Sequence, residues 1–303
     1  MLSLSICFYF AKNISLLRDF VPNFDDNNVL EENTLKMKEF KVILKNHTKY
    51  FRELGNVIYS RKFRLYVLAY SSFRGNYDGY HVNVGLAISR DLLRWVDIGE
   101  VISHAEDPYL VEYNNTLYLF AECKGPNNTH IGIGLWVANS LKNWSFKSLV
   151  LGSGILNGDL YFDVSSPVVW YDYEWHMMFE LRKRERFYGQ IYIMNGRSLT
   201  EWDSPTKLFL GEDTNDNIVP DDIMLFNKSM LLLFHKFNGT KWSTILLIYL
   251  NGLAVEIYPD LPNNLMFYIN TDPFAVGKIY LVGIDKYKIK IVLYELDFAR
   301  LAK

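Results

Sequence analysis

The sequence is poor in the features that mark several common classes of protein. Its two cysteines, Cys7 and Cys123, cannot build a disulfide framework, and no C-x-x-C motif suggests a zinc site. No run reaches the length of about 18 apolar residues that a membrane-spanning helix needs. A P-loop, a dinucleotide-binding glycine pattern, H-E-x-x-H and G-x-S-x-G are all missing. We therefore expect a globular protein with no membrane span and with none of these catalytic or nucleotide-binding motifs.

The chain also lacks a surplus of either charge. It carries 32 Lys and Arg residues against 34 Asp and Glu residues, for a net charge of -2. This balance argues against a dedicated nucleic-acid binder, which normally has a basic face. The segment 1–11 is apolar but has no basic leader and no clear cleavage site. The location therefore stays open from the sequence, with the cytoplasm slightly favoured.

Aromatic residues are the component that the chain has in excess. They make up 16% of the sequence, with 21 tyrosines, and hydrophobic residues as a whole make up 50%, which is ample for a core. Aromatic side chains favour β-strands, and their rings also form surfaces on which sugars stack. The composition therefore favours a β-rich protein.

An internal repeat organises the sequence. A small or polar residue, Leu, two further residues and Trp recur at intervals of about 50 residues, in the segments Asp91–Trp95, Ser140–Trp144 and Ser198–Trp202. Between these segments, two apolar strands flank a short turn at Asn114, Asp172 and Asn227, residue types that tolerate tight turns. Each unit continues into a third strand, and the Trp motif introduces a fourth. Four antiparallel strands in each repeat are the pattern of a β-propeller blade.

We therefore predict an all-β fold, a five-bladed β-propeller of four-stranded antiparallel blades over residues 51–303, preceded by an N-terminal extension over residues 1–50. The last blade lacks an obvious fourth strand after Ile289–Leu296. The apolar stretch Phe40–Leu44 is a candidate for this strand, and it would close the ring and remove an exposed sheet edge. The charged segment Glu31–Lys41 is equally consistent with an N-terminal helix.

The strand register predicts one rim that is rich in carboxylates. In an antiparallel blade, the start of the first strand and the end of the second strand lie at the same edge. The second strands end at Tyr70, Glu122, Glu180 and His235, and the first strands begin near Asp107, Asp163, Asp221, Asp222 and Asp272. Clustered carboxylates must be protonated, paired or metal-bound, and the resulting spread of pKa values suits acid and base catalysis. Any one of these residues by itself is more often structural than catalytic, so the prediction rests on their recurrence at matched positions of successive repeats.

Three segments, Gly85–Trp95, Glu106–Tyr113 and Asp163–Trp170, resemble the five-bladed propeller glycosidases. This group contains glycoside hydrolase families 43, 32 and 68 and the related family 130 phosphorylases. The resemblance implies a carbohydrate-active enzyme with three acidic residues around an axial pocket: a base or nucleophile in blade one, a supporting Asp in an Asp-Pro motif, and an acid Glu. Asp107 matches the Asp-Pro position, and Glu180 is our candidate for the acid.

The first blade departs from this family pattern. Where the base is expected, the chain reads Gly55-Asn56-Val57, which is similar to the opening of the phosphorylase-like members that lack the carboxylate. The available substitutes for the base are Glu53, Asp78, Asp163 and Asp222. We take Asp163 as the third catalytic candidate beside Asp107 and Glu180.

The remaining candidates concern binding of an oligosaccharide or glycoside substrate, and they are Glu122, Asp222, His235, Tyr70 and Arg182. Arg182 opens the basic run Arg182–Arg186, which suits a phosphate, a uronate or another anionic group, although such runs are more often solvated hairpin tips. We expect no cofactor, with an axial metal ion near His235 as the alternative. A glycoside hydrolase is the favoured function. The alternatives are a propeller that binds glycan or protein without catalysis, and a glycoside phosphorylase or transferase-like enzyme.

Overall fold

The computed structural model describes residues 37–40, 43–45, 50–73, 78, 80–156, 159–183, 189–207, 217–226, 229–237, 242–250, 253–257, 265–270, 278–285 and 290–297. Within these ranges there is no α-helix, and a short 3-10 turn at Pro126–Asn128 is the single helical element. None of the helical structure in the described ranges is long and apolar enough to cross a membrane.

The described residues form 23 strands. In chain order these are β1 (Met37–Phe40), β2 (Ile43–Lys45), β3 (Tyr50–Ser60), β4 (Leu65–Phe73), β5 (Val82–Ser89), β6 (Arg94–Ser103), β7 (Ala105–Tyr113), β8 (Thr116–Gly125), β9 (Thr129–Ser140), β10 (Asn143–Gly152), β11 (Gly154–Leu156), β12 (Asp159–Asp172), β13 (Glu174–Lys183), β14 (Gln190–Ser198), β15 (Glu201–Trp202), β16 (Thr206–Lys207), β17 (Asn217–Phe226), β18 (Ser229–Phe237), β19 (Trp242–Leu250), β20 (Leu253–Ile257), β21 (Leu265–Asn270), β22 (Lys278–Asp285) and β23 (Lys290–Asp297).

These strands form five sheets, which we number in chain order. Sheet 1 has the order β2-β6-β5-β4-β3, and sheet 2 has the order β10-β9-β8-β7. Sheet 3 runs β11-β12-β13-β14-β15, with β16 also beside β14. Sheet 4 runs β17-β18-β19-β20, and sheet 5 runs β1-β23-β22-β21. Sheets 1 to 4 each contain four successive antiparallel strands, and sheet 5 combines β21, β22 and β23 with β1 from early in the chain. The prediction of an all-β chain of four-stranded antiparallel sheets is confirmed.

The first main strand of each sheet lies at the centre of the molecule. These strands contact one another in a closed cycle, in which β3 contacts β7, β7 contacts β12, β12 contacts β17, β17 contacts β21 and β21 contacts β3. Sheets arranged radially around such a ring have short, protected edges, which is the principle of a propeller. The central strands therefore bring residues that are far apart in sequence to one axis.

The segment before β3 contributes to two sheets. Strand β1 pairs antiparallel with β23, where Phe40 lies opposite Leu293, and it forms the outer strand of sheet 5. Strand β2 pairs parallel with β6, where Ile43 lies opposite Arg94 in sheet 1. The stretch Phe40–Leu44 that we considered for one strand is thus divided between the first and the last sheet.

The repeated Trp motif forms the same turn in sheets 1, 2 and 3. The indole N–H donates a hydrogen bond to the carbonyl oxygen of the Leu three positions earlier, over 2.7 Å from Trp95, 3.2 Å from Trp144 and 3.0 Å from Trp202. The residue that precedes this Leu accepts hydrogen bonds from two backbone N–H groups of the turn, through the side chain of Asp91, Ser140 or Ser198. Such local side-chain contacts explain why Asp and Ser stand at this position.

The described core lies between neighbouring sheets. One buried cluster joins sheets 2, 3 and 4 and includes Phe120, Phe179 and Phe234, which occupy the second strands of the three sheets. A second cluster joins sheets 1 and 2 and includes Leu86 and Leu119. Because the inner strands are covered by neighbouring sheets, a polar residue that is buried in them requires a hydrogen-bond or ionic partner.

Candidate functional site

A β-bulge interrupts the central strand near the same end in four sheets. The pairing register shifts between Leu54 and Val57 in β3, between Glu106 and Tyr109 in β7, between Ser165 and Val168 in β12, and between Pro220 and Asp222 in β17. The bulges therefore contain Gly55, Asp107, Ser166 and Asp221 at matched positions. Bulges are frequent beside active sites because they re-aim a side chain.

Two of these bulges contain a residue in the left-handed backbone region. Asp107 has φ 51 and Ser166 has φ 53, and each directly precedes a proline. The Ser166 hydroxyl donates a hydrogen bond to Asp107 Oδ2 at 3.0 Å, so the matched positions of sheets 2 and 3 are in contact. The Asp107 backbone N–H donates to Ser71 Oγ of sheet 1 at 3.0 Å. Asp107 is thus held between three sheets while its side chain stays partly exposed.

The predicted second-strand residues Tyr70, Glu122, Glu180 and His235 occupy matched positions opposite the central strands. Glu122 lies opposite Glu106, and Glu180 lies opposite Ser165. Tyr70 and His235 lie opposite Leu54 and Val219. All four side chains are buried. Burial of a polar side chain is costly unless it has a partner, so the partners decide what each position does.

An ionic cluster connects these positions in sheets 2 and 3. We define the cluster as Glu106, Glu122, Lys124, His130, Asp163, Glu180 and Arg182. Lys124 Nζ contacts Glu106 Oε1 and lies 2.6 Å from Glu122 Oε1, and His130 Nδ1 contacts Glu122 Oε1. His130 Nδ1 also lies 2.8 Å from Asp163 Oδ1, which crosses from sheet 2 to sheet 3.

The cluster continues through Arg182 in sheet 3. Its guanidinium lies 3.2 Å from Asp163 Oδ2 and 3.1 Å from Glu180 Oε1. Ser165 Oγ donates a further hydrogen bond to Glu180 Oε2 at 3.2 Å. Gly189 lies against the Glu180 carboxyl, where a Cβ atom would overlap Oε1. Four carboxyl groups and three basic groups therefore alternate along one connected network.

Burial and charge separate the proton affinities within this cluster. Burial raises the pKa of Glu122 to about 8, and the charges of Glu106 and Asp163 contribute to the rise, whereas the hydrogen bond with His130 opposes it. Burial lowers the pKa of His130, but hydrogen bonds with Asp163 and Glu122 outweigh that effect and raise the pKa to about 9. At neutral pH, Glu122 therefore holds its proton, while the neighbouring His130 is positively charged. Acid and base catalysis requires such neighbouring groups with different proton affinities.

Glu180 responds to the same surroundings. Burial raises its pKa, the neighbouring Arg182 lowers it, and the charges of Asp163 and Asp107 raise it again, with a net upward shift. Asp107 lies near Glu180, because the two carboxyl groups accept hydrogen bonds from the adjacent residues Ser166 and Ser165 of β12. The structure therefore brings together Asp107, Asp163, Glu180, Glu122 and Arg182 from the sequence prediction.

The other predicted site residues have partners outside the cluster. The Tyr70 hydroxyl donates to Asp97 Oδ1 at 2.5 Å, within sheet 1. Asp222 accepts a hydrogen bond from the Tyr109 hydroxyl at 2.7 Å, which links sheet 4 to sheet 2. His235 Nδ1 contacts Asp221 Oδ2, and His235 Nε2 lies 3.3 Å from Thr244 Oγ1.

The remaining candidates have other hydrogen-bond partners or are not described. Asp78, a candidate base, is exposed and accepts hydrogen bonds from the backbone of Tyr80 and His81. Asp272 and the residues 184–188 of the basic run lie outside the described residues.

A cavity of about 260 Å³ lies between the central strands, and its lining includes Asn56, Tyr109, Glu112, Trp170 and Asp222. The Asn56 side chain accepts from the Leu110 backbone N–H at 2.6 Å and donates to the Leu110 carbonyl at 2.9 Å. Asn56 therefore ties sheet 1 to sheet 2. Trp170, which also lines this cavity, stacks on His176.

Among the described residues, one group of side chains has the spacing of a metal site. Glu122, His130 and Asp163 each offer one ligand atom, and these atoms lie within 4.8 Å of one another. Carboxylate and imidazole groups suit Zn²⁺ or Mn²⁺. Lys124 Nζ, however, lies 3.1 Å from His130 Nδ1 and 2.6 Å from Glu122 Oε1, so a cation already occupies this environment.

Sequence reasoning missed three members of the cluster, namely Glu106, Lys124 and His130. A signal existed for Lys124, because it stands two positions after Glu122 in β8 and strand alternation puts both side chains on one face. His130 pairs directly opposite Lys124 across β8 and β9. That register includes a shift between Cys123 and Lys124, which periodicity alone does not predict.

The fold is similar to those of solved glycoside hydrolases, and this confirms a β-propeller. An endo-arabinase from Bacteroides thetaiotaomicron is 16% identical with a TM-score of 0.59, over 86% of this chain and 97% of that one. A family 117 glycoside hydrolase from Zobellia galactanivorans is 11% identical with a TM-score of 0.56, over 87% of this chain and 91% of that one. A GH32 β-fructofuranosidase from Bombyx mori is 12% identical with a TM-score of 0.59, over 82% of this chain and 62% of that one.

By sequence, neither a protein-family model nor a curated protein matches the chain. At such low identity, the structural likeness shows a shared fold. The chain is therefore a β-propeller, with the same architecture as these glycoside hydrolases.

Proposed function

We propose that the protein is a glycoside hydrolase whose catalytic groups are Asp107, Asp163 and Glu180. The observation that carries the proposal is that Arg182 links the buried carboxyl groups of Asp163 and Glu180, while Ser165 and Ser166 of β12 bond to Glu180 and Asp107. Burial and the charges of Asp163 and Asp107 also raise the pKa of Glu180. A carboxyl group with a raised pKa beside further carboxyl groups is the arrangement that glycoside cleavage needs. The similarity to solved glycoside hydrolases of the same fold supports this reading.

Each of the three residues has a distinct role in this mechanism. Glu180 donates its proton to the oxygen of the leaving group, and Asp107 keeps the proton affinity of Glu180 high. Asp163, which lies between His130 and Arg182, acts as the base or nucleophile in place of a sheet 1 carboxylate. Arg182 and Glu122 hold these groups in place through the ionic cluster. The separation of the two reacting carboxyl groups then decides between inversion and retention at the sugar carbon.

The test is product release from a panel of arabinan, sucrose and aryl glycosides, measured with and without inorganic phosphate. The variants are Asp107→Asn and Glu180→Gln, because each removes a charge or a proton with little change in volume. Glu174→Gln is the matched control, since Glu174 lies on the same strand β13 as Glu180 but is exposed at its other end. We expect turnover by the wild type and by the control and a loss of at least about 100-fold in the two site variants.

The outcomes separate the candidate reactions. Turnover that needs phosphate would indicate phosphorolysis, and turnover without it would indicate hydrolysis, with the anomeric form of the product reporting the stereochemistry. Equal turnover in Glu180→Gln and Glu174→Gln would contradict the role of Glu180.

A second candidate function is a propeller that binds glycan without cleaving it. The observation that favours it is Gly55, which stands in sheet 1 where sheets 2 and 4 have Asp107 and Asp221, so this central strand supplies no carboxylate at the matched position. A binding propeller would show no turnover, and its thermal stabilisation by an oligosaccharide would be unchanged in Asp107→Asn and Glu180→Gln.

A further inference from the structure

Lys124 is the most buried of the three basic residues in the ionic cluster. Its side chain is 1% exposed, and those of Glu106 and Glu122 are at most 5% exposed. By contrast, the side chains of His130 and Arg182 are 16% and 27% exposed. The charge of Lys124 is therefore neutralised by the buried carboxylates around it and not by solvent.

We propose that the Lys124 ammonium takes the place of a metal ion in this cluster, so that the wild-type protein needs no metal here and removal of the Lys124 side chain opens a site for a divalent cation. The inference goes beyond the proposed function, because it concerns metal binding and does not depend on turnover.

The donor atoms around Lys124 form a set that a divalent cation could use. Glu122 Oε1, His130 Nδ1 and Asp163 Oδ1 lie within 4.8 Å of one another. Glu106 Oε1 contacts Lys124 Nζ from the opposite strand of sheet 2, and it would be released by loss of the ammonium. Three carboxylates and one imidazole suit Mn²⁺ or Zn²⁺, which accept mixed oxygen and nitrogen ligands.

The present position of Lys124 prevents such binding for two reasons. Its Nζ lies 2.6 Å from Glu122 Oε1 and 3.1 Å from His130 Nδ1, whereas a metal ion would have to lie about 2.0–2.2 Å from the same atoms. The positive charge of the ammonium would also repel a divalent ion at close range in a poorly solvated site. Contacts with the buried carboxylates of Glu106 and Glu122 hold the ammonium in this position.

The backbone supports a fixed position for this side chain. The Lys124 backbone N–H donates to the His104 carbonyl oxygen at 2.8 Å. The pairing of β8 with β9 shifts by one residue between Cys123 and Lys124. This bulge and the contact with the segment before β7 hold the Lys124 backbone at the junction of sheets 1 and 2. The position of the ammonium is therefore set by the fold.

The experiment measures binding of Mn²⁺ and of Zn²⁺ by isothermal titration calorimetry, together with the metal content after dialysis. It compares the wild type, Lys124→Ala and Lys142→Ala, where Lys142 is an exposed lysine outside the cluster. We expect Lys124→Ala to bind one ion per chain at least about tenfold more tightly than the other two proteins. In the double variant Lys124→Ala with Asp163→Asn, the gained affinity should be lost.

Each other result counts against the proposal. Wild-type protein that binds metal as tightly as Lys124→Ala, with loss of binding in Asp163→Asn, would show that the ammonium does not replace a metal. A folded Lys124→Ala protein without added affinity would overturn it as well. If Lys124→Ala is insoluble, refolding in the presence of Mn²⁺ or Zn²⁺ decides, because rescue by metal supports the proposal and failure of rescue contradicts it.

Discussion

Sheets 1 and 2 use the same bulge in the central strand for different purposes. In sheet 2, the bulge presents Asp107 toward Ser166 of sheet 3. In sheet 1, the matched residue is Gly55, and a Cβ there would overlap the Pro108 carbonyl oxygen of sheet 2. Asn56 beside it forms two hydrogen bonds with the Leu110 backbone. The bulge of sheet 2 therefore faces the candidate site, whereas the bulge of sheet 1 packs against sheet 2.

The second strands of the two sheets differ in the same sense. Tyr70 of sheet 1 is fully buried and bonds to Asp97 in its own sheet. Glu122 of sheet 2 joins an ionic cluster that reaches sheet 3 through His130. A repeat thus specifies the backbone position of a residue, and the side chain at that position determines whether it stabilises one sheet or takes part in a site.

The largest expected effect concerns the cluster of sheets 2 and 3, and it is a fall in stability between pH 6.5 and 9. The folded protein raises the pKa of His130 from 6.5 to about 9, so the stabilisation is complete below pH 6.5 and is lost as the pH rises through 9. The rise of the Glu122 pKa from 4.5 to about 8 acts in the same direction. One proton at full slope gives about 1.4 kcal/mol for each pH unit, so His130 alone accounts for about 3.5 kcal/mol over this interval.

Urea unfolding at a series of pH values measures this effect. Because the two groups share a contact, the observed steps belong to the pair. The variant His130→Gln should flatten the dependence, and His81→Gln, which changes an exposed histidine outside the cluster, should leave it unchanged. A free energy of unfolding that rises from pH 6.5 to 9 would contradict the assignment.

The next effect concerns the bulge of sheet 1. We expect Gly55→Ala to lower the free energy of unfolding by about 2 kcal/mol, because the new Cβ meets a backbone carbonyl that cannot move without shifting sheet 2. Gly152→Ala is the control, since its Cβ would meet mainly the flexible Leu149 side chain. Denaturant unfolding compares the two variants. If the free energy of unfolding falls by the same small amount in both variants, the packing of sheets 1 and 2 does not depend on the close approach of Gly55 to Pro108.

The smallest effect concerns Tyr70. Tyr70→Phe should cost about 1 kcal/mol, because one hydrogen bond to the partly exposed Asp97 is lost and the ring stays packed. Thermal unfolding should show this decrease, whereas Tyr173→Phe, at an exposed turn residue, should show none. Ligand-induced stabilisation should be the same for Tyr70→Phe as for the wild type. If Tyr70→Phe loses the ligand-induced stabilisation, Tyr70 binds the ligand, as the sequence suggested.

The regular parts of the fold were accessible to sequence reasoning. The alternation of apolar strands and the turn residues Asn114 and Asp172 predict hairpins from local preferences. The motif around Trp95, Trp144 and Trp202 predicts a repeated turn, and in each copy the stabilising hydrogen bonds are made within five residues. Interactions so close in sequence leave a periodic signal.

The candidate site was accessible only in part. Matched strand ends predicted that Glu122, Glu180 and His235 occupy equivalent positions, and their register agrees with this. The same reasoning placed Tyr70 and His235 beside the carboxylates of one site. In the structure, Tyr70 bonds to Asp97, which was not among the predicted rim residues, whereas His235 contacts the predicted rim carboxylate Asp221 and also Thr244. Equivalent backbone positions do not imply shared partners, because a side chain bonds to whichever groups its own sheet presents.

The sequence by itself determined the all-β architecture, the repeat of four strands and the edge at which the acidic residues collect, because these follow from strand period and turn chemistry over short distances. Only the tertiary structure decided which charges meet. The contact between His130 and Asp163 joins sheets 2 and 3, and the fit of Gly55 against Pro108 joins sheets 1 and 2. Such contacts depend on how the sheets pack around the axis, and residues brought together in this way leave no spacing in the sequence from which their pairing can be derived.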